Sequence, residues 1–228
     1  MIPLFKVKMS KKASKDVAKV LNSGYIGQGP KVEEFEDLLW KELNTKFRPV
    51  TVDSCTDAID LALELIGVGP GDEVICTPQT CFASNIGPIH RHATIRWADI
   101  DPITGLIDPK SVDKLVNEKT KAIICVNWAG KIADYKKLKS FGVPVIEDAA
   151  HTWDIFPVKV ERGNYICYSF QAIKYLTTGD GGLLVCDTKE KEEQARLTRW
   201  FGLDRTKGQS FRCTQNITSA GFKYHMND

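Results

Sequence analysis

The sequence predicts an α/β fold, a mainly parallel sheet sandwiched by helices. Three observations predict it. Short apolar runs alternate with longer segments whose apolar residues recur at helical spacing. The chemically distinctive residues follow the predicted strands, at the edge where parallel sheets open their ligand crevice. The 228 residues, 43% apolar and 26% charged, suit one large domain with a sizeable core.

The elements follow in order. A helix over 11–22 puts Val17, Val20 and Leu21 on one face. Gly24-Tyr25-Ile26-Gly27-Gln28-Gly29-Pro30 breaks it. A second helix follows, with Val32, Phe35, Leu38, Leu39 and Leu43 at helical spacing. A strand over 49–52 leads to a helix over 57–66, which shares Ala58, Leu61, Ala62 and Leu65 on one face. A turn over 67–72 precedes a strand over 73–76. Then come a helix over 81–90, a strand over 95–98 and a helix over 109–117. The segment 122–126, rich in β-branched residues, is a strand; 133–140 is a helix and 143–146 a strand. Strands over 165–170 and 182–186 and a helix over 189–200 complete the pattern. No internal repeat interrupts it. Strands interleaved in this way are covered on both faces.

Charge excludes some partners. Lys plus Arg number 31 and Asp plus Glu 29, a net charge of +2, so there is no basic stripe for nucleic acid. Mixed-sign runs such as 189–193 read as solvated helix faces. Of the 7 cysteines (Cys55, Cys76, Cys81, Cys125, Cys167, Cys186 and Cys213), none forms a C-x-x-C pair and several sit in apolar strands. That suits buried thiols in a reducing cytoplasm better than a disulfide framework or a zinc site. The first residues lack the apolar centre of a leader, and no run approaches membrane-spanning length. The expectation is a soluble, cytoplasmic protein without a membrane partner. His90, His92, His151 and His225 form no H-E-x-x-H, and there is no G-x-S-x-G, so neither a metal site nor a serine hydrolase is expected.

Three places carry candidate chemistry. Ser54-Cys55-Thr56-Asp57 lies between a strand and a helix, where free N–H groups suit either an ordinary cap or a phosphate. Glu147-Asp148 ends a strand at the crevice. An acidic residue there binds metal, orients His151, pairs with a protonated heterocycle, or simply caps the following turn. Lys174 follows Ser169-Phe170 and precedes Thr178-Gly179-Asp180-Gly181-Gly182. Most lysines are surface solvators, but one with largely apolar neighbours gives up its proton more readily and attacks aldehydes.

Taken together, these residues resemble the DegT/DnrJ/StrS family of nucleotide-sugar aminotransferases, which depend on pyridoxal 5'-phosphate. The resemblance begins near Pro3-Leu4 and runs through Ser23-Gly24, Gly27-Gln28-Gly29-Pro30 and Phe35-Glu36. It includes Ser54-Cys55-Thr56-Asp57-Ala58, where the family has S-G-T-x-A, then 69–74, 78–82 and DIDPITGLID over 99–108. Glu147-Asp148-Ala149-Ala150-His151 matches, and the block from Ser169 through Lys174 to Gly182 is the most specific. Residues 200–205 and 221–226 close the match.

The resemblance implies the large domain of the fold-type I transferases over 1–228, with 1–30 as an N-terminal helix and loop. It gives Lys174 the internal aldimine and the proton transfers, and Asp148 the pyridine nitrogen. Phe82 stacks on the ring and His151 lies near its hydroxyl. Thr56, the backbone of Asp57, and Ser169 cradle the phosphate, with the Asp57 side chain turned away. Lys223 stands where members place an asparagine that reaches the partner subunit's phosphate. The implied reaction moves an amino group from an amino acid, typically glutamate, to a keto nucleotide-sugar, in a homodimer serving polysaccharide or antibiotic-sugar synthesis. A dehydratase branch has histidine at the lysine position, and Lys174 argues against it.

The sequence departs from the family at Cys55, where glycine is usual, at Asn127, where many members have histidine, and in a shortened connection from Asp148 to Ser169. Members also run on into a smaller C-terminal domain, which the resemblance implies is missing after Asp228. A truncated, catalytically weak or inactive domain is therefore the alternative expectation. Another lysine-aldimine enzyme, such as a desulfurase, accounts less well for the ordered blocks around Lys174.

Overall fold

The computed structural model describes residues 1–3, 5–153, 160–205, 217 and 219–228. Leu4, Cys213 and part of the connection between Asp148 and Ser169 lie outside the described residues.

Two helices lead the chain, α1 (Ala13–Asn22) and α2 (Pro30–Leu43). Then strands and helices alternate: β1 (Val50–Val52), α3 (Cys55–Ile66), β2 (Glu73–Cys76), α4 (Ala83–His90), β3 (Thr94–Trp97), α5 (Pro109–Leu115) and β4 (Thr120–Val126). They continue through α6 (Tyr135–Lys139), β5 (Val145–Asp148), β6 (Tyr165–Ser169), β7 (Gly182–Cys186) and α7 (Lys189–Thr198). The seven strands among the described residues form one sheet in the order β1-β7-β6-β5-β4-β2-β3. The β2–β3, β2–β4, β4–β5 and β5–β6 pairs are parallel; β7 runs antiparallel to both β6 and β1. The sheet is thus mainly parallel, as the alternation predicts.

Side chains alternate across the sheet because strand residues point to opposite faces. Ile124, Ile146, Cys167 and Leu184 join Leu61, Leu65 and Ala195 in one core, beneath α3 and α7. Ile123 and Val145 pack with Val112 and Leu138 on the other face, against α5 and α6. There, nearer β7, Ile166, Leu183 and Val185 meet Val32, Leu39 and Leu43 of α2. Four of the strand cysteines, Cys76, Cys125, Cys167 and Cys186, are buried free thiols.

Caps explain where the helices begin. Ser54 accepts the Asp57 N–H, so α3 starts two residues before the expected 57. Asp134 accepts the Lys137 N–H, so α6 starts at Tyr135 rather than 133. The α2 N-terminus is capped from a distance: Asp228 Oδ1 accepts the N–H groups of Gly29 at 2.7 Å and Val32 at 3.0 Å. Gly67 ends α3 in the left-handed region at φ 80°, where a side chain is strained.

A buried charge cluster ties α2 to α7. Glu36 accepts the Thr51 N–H at 3.0 Å and pairs with Arg196 and Arg199, each at 2.7 Å. Burial pushes the Glu36 carboxyl upward, but the two guanidinium groups outweigh it and hold its pKa at about 2. By contrast, α1 buries none of its residues: of its predicted apolar face Val17 and Leu21 are exposed and Val20 is half-buried.

Candidate active site

The topology gathers the candidate residues on one edge. β4, β5 and β6 run parallel and end at Val126, Asp148 and Ser169. Because β7 is antiparallel, its first residue, Gly182, pairs with Ser169 on one side and Val52 of β1 on the other. The Ser54 cap and the start of α3 follow directly after β1. A Cβ on Gly182 would stand 2.4 Å from the Ser54 carbonyl carbon and 2.6 Å from the Cys55 nitrogen. Glycine is required here for the α3 N-terminus to lie against the sheet edge.

The first turn of α3 offers amides that the helix itself does not satisfy. Ser54 Oγ takes the Asp57 N–H at 3.0 Å, and its hydroxyl donates back to the Asp57 carboxylate. The structure therefore differs from the expectation for Asp57: its amide is committed to the cap and its side chain folds onto Ser54. The Cys55 and Thr56 amides take no part in this cap. Partial burial and the adjoining Asp57 carboxyl push Asp53 up to about 7.

Asp148, 5% exposed, is gripped from several sides. Its Oδ2 accepts the Ser84 hydroxyl at 2.6 Å, and its Oδ1 accepts the Ala150 N–H at 3.0 Å. Cys55 Sγ lies 4.0 Å from Oδ1 and 3.5 Å from the Cys167 carbonyl oxygen. Burial and Asp148 push the Cys55 thiol up, and the neighbouring Lys174 ammonium opposes them. His151 is half-buried, receives the Ala129 N–H at 3.4 Å and lies 5.3 Å from the Trp128 ring. Burial and Lys174 lower its pKa, with Asp148 pulling the other way. Asp148, Cys55, His151 and Lys174 thus share one electrostatic neighbourhood.

Lys174 sits on a loop pinned at its base. Phe170 is fully buried against Phe35 and Trp153, 5.4 Å and 5.9 Å between ring centroids. The Phe170 carbonyl accepts from Thr178 N–H and the Thr177 hydroxyl, and its N–H reaches the Gly181 carbonyl at 2.8 Å. The expected apolar wrapping of Lys174 is absent, because Ile173 and Tyr175 are exposed. Phe82 precedes α4 and is 61% exposed, two residues from Ser84 at the crevice rim. Lys223 is exposed; its backbone bridges Trp200, and the next residue's carbonyl, that of Tyr224, accepts the Asp53 N–H at 2.9 Å.

The layer behind the edge was not apparent from the sequence. Glu147, fully buried, accepts from Arg162, Asn127 Nδ2 and the Gly163 N–H. Asn127 in turn accepts the Tyr135 hydroxyl at 2.7 Å and donates its own N–H to the Asp148 carbonyl. Asn127 therefore belongs to the framework under Asp148. Ser84 and Thr80 were also missed; the only signal for them was their four-residue spacing at a helix start. Among the described residues no group of three metal-ligating side chains occurs. No helix among them is long and apolar enough to cross a membrane.

A mixed sheet with a lysine and a buried carboxylate at its carboxyl edge defines an α/β domain of the crevice-binding class. The chain belongs to the DegT/DnrJ/EryC1/StrS aminotransferase family, whose model matches residues 7–228. It is 34% identical over 233 residues to the spore coat polysaccharide biosynthesis protein SpsC of Bacillus subtilis, covering 96% of this chain and 59% of SpsC. It is similar to the sugar aminotransferase CalS13 from Micromonospora echinospora, at TM-score 0.91 and 33% identity, covering 100% of this chain and 65% of CalS13. It is also similar to Spr1654 from Streptococcus pneumoniae, solved in a PMP form, at TM-score 0.88 and 28% identity over 99% of this chain and 64% of Spr1654. The PLP form of Spr1654 gives TM-score 0.86. The chain spans about three fifths of the length of these relatives.

Proposed function

We propose that this chain is the cofactor-binding large domain, over residues 1–228, of a pyridoxal-phosphate-dependent sugar aminotransferase. It moves an amino group from an amino acid, glutamate in the first instance, to a keto nucleotide-sugar. The observation that carries the reading is the convergence of Lys174, Asp148 and the α3 N-terminus on one sheet edge. The names of SpsC and CalS13 support a sugar substrate, and the PLP and PMP forms of Spr1654 support the cofactor.

The residues fit that cofactor. The first-turn amides of α3 and the closeness that Gly182 permits suit a phosphate. A buried carboxylate held by donors suits a protonated ring nitrogen. Bound there, pyridoxal phosphate supplies an aldehyde for an amine and an electron sink for the substrate carbon.

In this reading Lys174 is the covalent anchor and the acid/base that shuttles the proton at the reacting carbon. Asp148 accepts the proton-bearing ring nitrogen. Cys55 and Thr56 amides, with the Thr56 and Ser169 hydroxyls, hold the phosphate, while Asp57 braces the cap. Phe82 covers one ring face, and His151 stands by the ring hydroxyl. Lys223 is offered to a partner subunit in a homodimer, which the exposed apolar face of α1 also suits. Buried free thiols suit a cytoplasmic setting.

The test is to add pyridoxal phosphate and record visible absorbance, then reduce with borohydride and map the labelled peptide. The label is expected on Lys174, and Lys174→Ala is expected to lose it entirely. Glutamate should then convert the bound cofactor to its amine form. A folded chain that takes no label, or takes it at another lysine, sinks the reading.

A further inference from the structure

We infer that Ser84 is a positioning residue: it and Thr80 form a one-way hydroxyl chain that fixes the Asp148 carboxylate for a cofactor ring nitrogen. The inference rests on the reading of this edge as a pyridoxal-phosphate site.

The direction of the chain follows from donor and acceptor chemistry. Ser84 Oγ lies 2.6 Å from Asp148 Oδ2, and Thr80 Oγ1 lies 2.7 Å from Ser84 Oγ. Ser84 donates to Asp148 Oδ2, so its single hydroxyl proton lies on that bond. Ser84 is then the acceptor toward Thr80, and Thr80 must donate. Hydroxyl pairs usually choose either direction; here the carboxylate removes the choice.

The geometry makes this a clamp. Ser84 is 1% exposed, so water does not replace its bond. Its place in the first turn of α4 is fixed by its own N–H to the Cys81 carbonyl, at 3.1 Å. Beside it, Asn85 Nδ2 donates to the Thr77 carbonyl just after β2, at 3.1 Å. The second carboxylate oxygen is held independently by the Ala150 N–H. With one donor from α4 and one from its own loop, Asp148 cannot swing about its terminal bond without losing both. Held at both oxygens, the carboxylate keeps an acceptor in a fixed place for the proton of a ring nitrogen. A serine that only filled space would do neither.

The experiment loads the full chain with pyridoxal phosphate carrying nitrogen-15 in the ring, for wild type, Ser84→Ala, Ser84→Thr and Thr80→Val. Loss of one charge-assisted hydrogen bond should weaken cofactor binding about tenfold in Ser84→Ala. The ring nitrogen resonance should move toward its unprotonated position. Ser84→Thr keeps the hydroxyl and should restore both values, and Thr80→Val should move both in the same direction by less. Folded Ser84→Ala with wild-type affinity and an unmoved resonance overturns the clamp. Should Ser84→Ala not fold, an unmoved resonance in folded Thr80→Val overturns the chain. A wild-type chain that binds no pyridoxal phosphate instead brings down the functional reading, and the clamp with it.

Discussion

Asp53 stands directly before the Ser54 cap, and its carboxyl keeps a proton to about pH 7 because of partial burial and the neighbouring Asp57. A neutral acid there is harmless to a bound phosphate, whereas a charged one repels it. The sign follows: cofactor affinity should fall as pH rises through about 7, by about fivefold for one added charge near the surface. Asp53→Asn removes the titrating group and should flatten that dependence. Binding titrations on either side of neutrality check this, and an unchanged slope in the variant would place Asp53 outside the phosphate's field. Cys55 raises a related point. Where the family usually has glycine, a thiol lies 4.0 Å from Asp148 Oδ1, beside the Ala150 N–H that the same oxygen accepts.

Between elements, the Glu36 cluster joins α2 to α7 and to β1. Removing one member of a buried pair leaves the others uncompensated, so Glu36→Gln should cost about 3–5 kcal/mol in urea unfolding. Its pH dependence has a definite sign. A carboxyl held at about 2 contributes stability that is complete above its ordinary pKa and fades as pH falls toward 2. Wild type should therefore lose more stability than Glu36→Gln between neutral and acid solution. The elements themselves were largely legible, because apolar periodicity reports burial and burial organises the layers. Boundaries moved where a cap intervened, as at Ser54 and Asp134, and β5 runs to Asp148 rather than stopping at residue 146. Lys174, Asp148, His151 and the α3 turn stand out through their resemblance to a family, and the structure sets them in one neighbourhood. Ser84 does not stand out, since its partner lies 64 residues away and no local pattern encodes that contact.

Across the whole domain, a residue far along the chain, Asp228, holds α2. Asp228 caps α2 through the amides of Gly29 and Val32, and its own N–H reaches the Gly27 carbonyl. Asp228→Ala should lower global stability by about 1 kcal/mol, the usual worth of a cap, measured by urea unfolding. Hydrogen exchange at Val32 and Lys31 should quicken in the same variant. The position of β1 has a different consequence. Among the described residues it sits at the sheet edge and pairs with β7 alone, so that pairing waits until Gly182–Cys186 has been made. On the ribosome, β2 to β6 can zip together while β1 waits. Such a long-range pairing is slow to form and comes late. The turn that follows β1 is set against Gly182 only when that strand arrives, so Lys174 emerges before the proposed phosphate pocket is complete. In the proposed function, capture of the cofactor would then wait on one strand, and a nascent chain arrested before residue 182 would carry the lysine without the means to retain its partner.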